Sequence, residues 1–202
     1  IRVDNGANTQ WSYNVAIING VGHYYVTNFP QDAYAITASF AGDANHAAST
    51  SDPNYSIAVS RVKTALRISF DETDVTSKTK VVTVGEQVTV YVDLYTVPSD
   101  WDGDFAKASL FNSDAVVTVK CNPTWRTGNV GNYTLGLVNG HGSITFRHLP
   151  ADECDYYIDA VYAGDNFFLD YQTKLNNMRL KLTVNKTETT IDVEVTSPVI
   201  AK

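Results

Sequence analysis

Apolar and polar residues alternate over most of this chain, and the alternation divides it into short extended segments. Gln87-Val-Thr-Val-Tyr-Val-Asp-Leu-Tyr95 puts Val88, Val90, Val92 and Leu94 on one face, the period of a strand with one side buried. Residues 64–70 precede it, and residues 117–121, 133–138, 144–149, 157–162 and 178–184 follow, each bounded by Gly, Asn, Asp or Pro. No segment sustains a helical period over three turns. Asn19-Gly20 and Asn139-Gly140 sit between alternating runs, and Asn-Gly readily takes the positive φ angles of a tight hairpin turn. The pattern predicts an all-β chain built as antiparallel β-sandwiches, with about seven strands in a complete module.

The segments repeat. Ile36-Thr-Ala-Ser-Phe-Ala-Gly-Asp43 recurs as Ile158-Asp-Ala-Val-Tyr-Ala-Gly-Asp165, and Tyr13-Asn-Val-Ala-Ile-Ile-Asn-Gly-Val-Gly22 recurs as Tyr133-Thr-Leu-Gly-Leu-Val-Asn-Gly-His-Gly142. The two matches are collinear, with a small insertion between Pro150 and Tyr156, as a duplicated module requires. With the strands named A, B, C, C′, E, F and G, residues 64–186 form a complete module. Residues 1–63 form a module that starts inside strand C and lacks strands A and B. Residues 187–202 form a linker and the first strand of a following module, because Thr190-Ile-Asp-Val-Glu-Val195 resembles Thr64-Ala-Leu-Arg-Ile-Ser-Phe70. Half a sandwich exposes its core face and its strand edges, so the first module is expected to be completed, with strand exchange from a neighbouring chain's 187–202 as one route.

The F-strand signature Tyr-x-Ile-x-Ala-x-[Phe/Tyr]-Ala-Gly-Asp, at residues 34–43 and 156–165, resembles the prokaryotic immunoglobulin-like repeats of large surface proteins. The Asn-Gly-x-Gly hairpin and Val84-Gly-Glu-Gln-Val-Thr-Val90 are similar to the same family. Lys186-Thr-Glu-Thr-Thr-Ile191 is similar to linkers of adhesin-like proteins from methanogenic archaea. The resemblance implies tandem immunoglobulin-like modules at the cell surface, outside the cell. They would serve as a stalk or cell-contact array, with a surface protein or glycan of another cell as partner and no catalytic residues. Within strand F, alternation points Ile158, Ala160 and Tyr162 at the core and Asp159 and Val161 outward. Gly164 supplies a positive φ after the strand, and Asp165 hydrogen-bonds the turn backbone.

Composition agrees with an external protein. Net charge is −7 and the 15 basic residues are scattered, which argues against a nucleic-acid groove. No run of 18 apolar residues occurs, so this segment does not insert in a membrane as a helix. Asn54, Asn132 and Asn185 each open an N-x-S/T sequon.

Few residues carry candidate chemistry. Cys121 ends strand C and Cys154 precedes strand F, its antiparallel neighbour, so the pair forms either a disulfide or two part-buried thiols. Asp100, Asp102 and Asp104 alternate in the B–C loop, which shares an end of the sandwich with Asp165; together they are the candidate calcium ligands and calcium the only cofactor considered. Phe111 stands where an EF-hand needs its bidentate Glu, and a solvated loop is the simpler reading. Trp101 in the B–C loop and Trp125 in the C–C′ loop are candidate ligand contacts; Trp11 and Trp125 otherwise cover the base of their sandwiches. His23, His46, His141 and His148 lie in no metal or triad motif. Two alternatives to the adhesive array are a carbohydrate-binding module using the loop tryptophans and an accessory domain of a large secreted enzyme.

Overall fold

The computed structural model describes residues 1–6, 10–51, 55–123, 131–151 and 155–194, and its regular structure is almost entirely β. These residues group into two compact units. One comprises Ile1–Ala65, Tyr95–Ser109 and Ala163–Tyr171; the other comprises Leu66–Leu94, Leu110–Tyr162 and Gln172–Lys202.

In the first unit, β1 (Arg2–Asp4), β2 (Gln10–Ser12) and β3 (Asp32–Thr37) are followed by β4 (Ser39–Phe40), β5 (Ser49–Thr50) and β6 (Tyr55–Val59). An antiparallel sheet runs in the order β2-β1-β3-β6, and β4 and β5 pair as a separate ribbon. Val3 and Tyr34 are buried, and Trp11, Phe29 and Tyr34 pack ring edge against ring face, with centroids 4.8–5.8 Å apart.

The strands that follow are β7 (Lys63–Ser69), β8 (Thr79–Thr83), β9 (Val88–Val97), β10 (Ser109–Leu110), β11 (Ala115–Pro123), β12 (Gly131–Leu137), β13 (His141–Phe146), β14 (Asp155–Tyr162), β15 (Tyr171–Gln172) and β16 (Leu180–Asn185). In the second unit, β9 pairs with β7 and β13 in one sheet, and the other sheet runs β12-β11-β14-β16-β8. Val88, Val90, Val92 and Leu94 of β9 are fully buried, as the alternation predicts. So are Val119, Cys121, Ile158, Ala160, Leu180 and Leu182 from the other sheet.

Strands form where the alternation predicts them at β7, β9, β11, β12, β14 and β16. The strand expected at residues 144–149 forms a few residues earlier, as β13. Strand β8 is an addition: it lies at the sheet edge and pairs parallel with β16, so this sheet is not purely antiparallel. Asp159 is a correction. It lies on the face opposite Ile158 and Ala160 but is only 4% exposed, because the Arg179 guanidinium covers it at 3.3–3.4 Å and stacks on Tyr157.

Two of the sheets share a strand order. The order β2-β1-β3-β6 matches β12-β11-β14-β16 strand for strand. Asn19-Gly20 and Asn139-Gly140 both take positive φ, with Ile18 bridged to Val21 and Val138 to His141. The units differ where a second sheet would pack. Tyr34 pairs with Ile57 as Tyr156 pairs with Leu182, and Ile36 pairs with Tyr55 as Ile158 pairs with Leu180. Leu180 and Leu182 are fully buried, whereas Tyr55 is 68% and Ile57 40% exposed. Residues 22–31, the counterpart of β13 and its exit, form no ladder. β13 owes its ladder to β9, and among the described residues the first copy has no equivalent of β9.

Candidate functional site

The candidate residues lie in turns and on strands and do not converge on one cleft among the described residues. Both signature turns are closed by the Gly-Asp pair that ends the F-strand motif. Gly164 has φ +73, and a Cβ there would lie 2.7 Å from the Asp170 nitrogen. The Asp165 carboxylate accepts the amides of Phe167 and Phe168 at 2.7 and 2.8 Å. Gly42 has φ +87, and Asp43 accepts the amides of Asn45 and His46 at 2.8 Å each. The Asn45 amide, with the His46 side chain next, holds the Asp43 carboxyl below its usual range. Asp165 is thus a turn-builder, as its sequence position suggests. Beside it, Arg61 donates to Gln31 Oε1 at 2.9 Å and to the Asp165 carbonyl at 3.4 Å, and these residues line a shallow depression with Pro30 and Asn166.

The acidic loop belongs to the same unit as Asp165. Asp104 caps a 3-10 turn, Phe105–Lys107, by accepting the Ala106 amide at 2.9 Å. Asp102 accepts the Asp104 amide at 3.2 Å and pairs with Lys107, which holds the Asp102 carboxyl down and the Lys107 ammonium up in pKa. Asp100 is exposed in the preceding turn. Two of the three loop carboxylates are therefore engaged by their own loop. Among the described residues no three His, Cys, Asp or Glu side chains are grouped to hold a metal ion.

Trp101 is fastened inward. Its indole N–H donates to the Asp104 carbonyl at 2.9 Å, its ring meets Phe105 edge to face at 5.3 Å, and it packs on Ala65, Tyr95 and Val97. A ring so held offers less of its face to a ligand than an exposed indole does. Trp125 and Cys154 lie outside the described residues, as does Asn54. Asn132 and Asn185 are exposed. Cys121 is a buried free thiol, and burial pushes its pKa up to about 12. In the register of β11 on β14 it stands opposite Ile158.

Three features escape a reading of the chain by segments. The hydroxyls of Tyr34 and Tyr156 donate to the carbonyls of Pro30 and Pro150 at 2.8 Å each, the same bond in both copies. A Pro four to six residues before the motif tyrosine is its sequence trace. On the second unit, the His141 Nδ1 lies 2.6 Å from Asp93, which also accepts Arg67 at 2.8 Å, while Glu72 lies 3.7 Å from the imidazole Nε2. These groups tie β7, β9 and β13 across their polar side. The Asp159–Arg179 pair does the same for β14 and the start of β16.

Among the described residues no helix is long and apolar enough to cross a membrane. No protein-family model and no curated protein sequence matches the chain.

Proposed function

We propose that this chain is a stretch of tandem immunoglobulin-like modules from a cell-surface protein, acting outside the cell as a non-catalytic stalk and cell-contact array. The observation that carries the reading is the repeated tyrosine bond. A tyrosine at the start of strand F that hydrogen-bonds backbone a few residues upstream is a hallmark of immunoglobulin-like sandwiches. Here it occurs twice, on matching strands of matching sheets, with the same Asn-Gly hairpin before it and the same Gly-Asp turn after it. Copies that keep their turns and corners while their exposed side chains diverge suit a serial scaffold, whose stability is a sum over modules. Asp43, Asp165, Asp102, Asp104, Asp93 and Asp159 are engaged in turns, caps and cross-strand pairs, which supports a structural role over a reactive one. The partner that suits such an array is a surface protein or glycan of another cell. The inward packing of Trp101 favours this reading over a dedicated sugar platform.

A stretching experiment on concatenated copies of residues 64–186 tests the array. Identical, independent unfolding steps are expected, each releasing about 40 nm of chain at roughly 3.4 Å per residue. In parallel, the 202-residue chain is titrated with cell-wall polysaccharides while tryptophan fluorescence is followed. Saturable quenching overturns the array reading in favour of a carbohydrate-binding module, and turnover of the polysaccharide overturns it in favour of an enzyme part.

A further inference from the structure

The sheet β12-β11-β14-β16-β8 ends in two edges that are guarded differently. At β8, Lys80 is on the same side of the strand as the buried Val82 and lies 5.9 Å over the Phe70 ring. An inward-pointing charge of this kind discourages pairing with a further strand. At β12, the outermost strand on the other side among the described residues, Gly131-Asn-Tyr-Thr-Leu-Gly-Leu137 holds neither a charge nor a proline. A neutral edge strand is a template for another chain unless something bulky stands on it.

The strand itself carries an attachment point. Asn132-Tyr-Thr134 is an N-x-S/T sequon, and in an extended strand its first and third residues share a face. Here that face is the wet one: Asn132 and Thr134 are exposed, while Tyr133 turns the other way onto Phe146, with ring centroids 5.2 Å apart. The acceptor amide of the sequon and its hydroxyl therefore stand side by side in solvent. The lane ahead of them is clear. Gly136, next on the same face, has open space where a Cβ would be, and its cross-strand partner Val116 is 61% exposed, an apolar floor for a sugar ring. Asn185-Lys-Thr187 is exposed as well, but it begins at the last residue of β16, a strand with neighbours on both sides, and guards no edge.

We propose that Asn132 carries an N-linked oligosaccharide that shields the β12 edge. The Asn132 Nδ2 forms a bond to the anomeric carbon of a sugar delivered on a polyprenyl phosphate or diphosphate. The bond from that carbon to the phosphate oxygen breaks, the lipid phosphate leaves, and Nδ2 gives up one proton. A transferase outside the cytoplasm performs the step, so the proposal rests on the extracellular reading of this chain. Neighbouring strands lie only about 4.8 Å apart, so a bulky sugar on the edge strand overhangs the position that a further strand would take.

Peptide mapping by mass spectrometry, on the chain taken from the surface of its source cells, tests the site. Sugar is expected on the peptide that contains Asn132, kept in a Thr134→Ser variant and lost in Thr134→Val, which retains a β-branched residue in the strand. Sedimentation of the glycosylated chain and of Asn132→Gln over micromolar to millimolar concentrations tests the shield. The variant should gain mass at lower concentration than the parent, with a cooperative melt showing that it folds. Coincident sedimentation curves overturn the shield. An unmodified Asn132 on a chain that has reached the surface overturns the proposal and leaves the extracellular reading standing. A chain found only inside the cell overturns that reading, and this proposal with it.

Discussion

Replacing Arg179 with Met should leave Asp159 buried without its closest cation. Asp159 is 6% exposed at its side chain and Arg179 30%, with nitrogen–oxygen distances of 3.3 and 3.4 Å. At an effective dielectric constant near 20, unit charges 3.3 Å apart attract by about 5 kcal/mol. Solvent reaches the arginine end, and Lys120 stands opposite Asp159 in the β11–β14 register, so part of that attraction is screened and part is replaced. Arg179→Met is therefore expected to cost about 2–4 kcal/mol, towards the lower side of what breaking a buried pair costs. The double variant Asp159→Val/Arg179→Met removes both charges and leaves nothing stranded, and should lie within about 1 kcal/mol of the parent. Urea unfolding followed by far-UV circular dichroism, with amide exchange at β14 to confirm that the second unit is what melts, gives the three free energies. The reasoning is refuted if Arg179→Met costs less than about 0.5 kcal/mol, or if the double variant costs as much as Arg179→Met alone.

Gly140 has φ +77, and a Cβ there would lie 2.7 Å from the Phe111 carbonyl oxygen and 2.9 Å from that of Leu94, whereas Gly20 at φ +81 has open space. Gly140→Ala should therefore destabilise its unit by about 3 kcal/mol and Gly20→Ala by only about 1, as read from thermal melts. The carboxyls of Asp43, Asp71, Asp74, Asp102 and Asp155 are all held below their ordinary value of 3.8, chiefly by hydrogen bonds. Because each folded-state pKa is the lower one, their stabilisation is complete above that ordinary value and is lost as pH falls through the folded values. The melting temperature should accordingly be nearly level from about pH 8 to 5 and fall below about pH 4, and a level curve down to about pH 2 would refute it. Cys121, buried and with its pKa near 12, should react with iodoacetamide at least about a thousandfold more slowly in the native chain than in denaturant.

Strands with strict alternation were legible because burial on one face writes itself into every second residue. β9 is the clearest case, with Val88, Val90, Val92 and Leu94 all at zero exposure. The hairpins were legible because Asn-Gly is a local solution to a local geometry. β8 was not: Thr79-Lys-Val-Val-Thr has two adjacent valines and is organised by β16, far along the chain. For Asp159, alternation gave the correct face, but coverage of that face depends on Arg179, twenty positions away. The acidic loop shows the same limit. Three alternating carboxylates look like a cation site until Lys107 and the Ala106 amide are placed beside them.

The parallel pairing of β8 with β16 also sets a schedule for making the protein. The paired residues, such as Thr79 and Lys181, are separated by roughly a hundred positions, so β8 leaves the ribosome long before its partner exists. At about 5–20 residues per second, the interval is on the order of 5–20 s. β7, β9 and β11 can assemble during it and β14 joins them only towards its end, after which the outer side of β14 stays open until β16 is complete. The nascent chain therefore passes its most aggregation-prone moment just before the last strand of the module emerges. Ribosomes that stall between Tyr162 and Leu180 would release chains able to pair with one another through that open side.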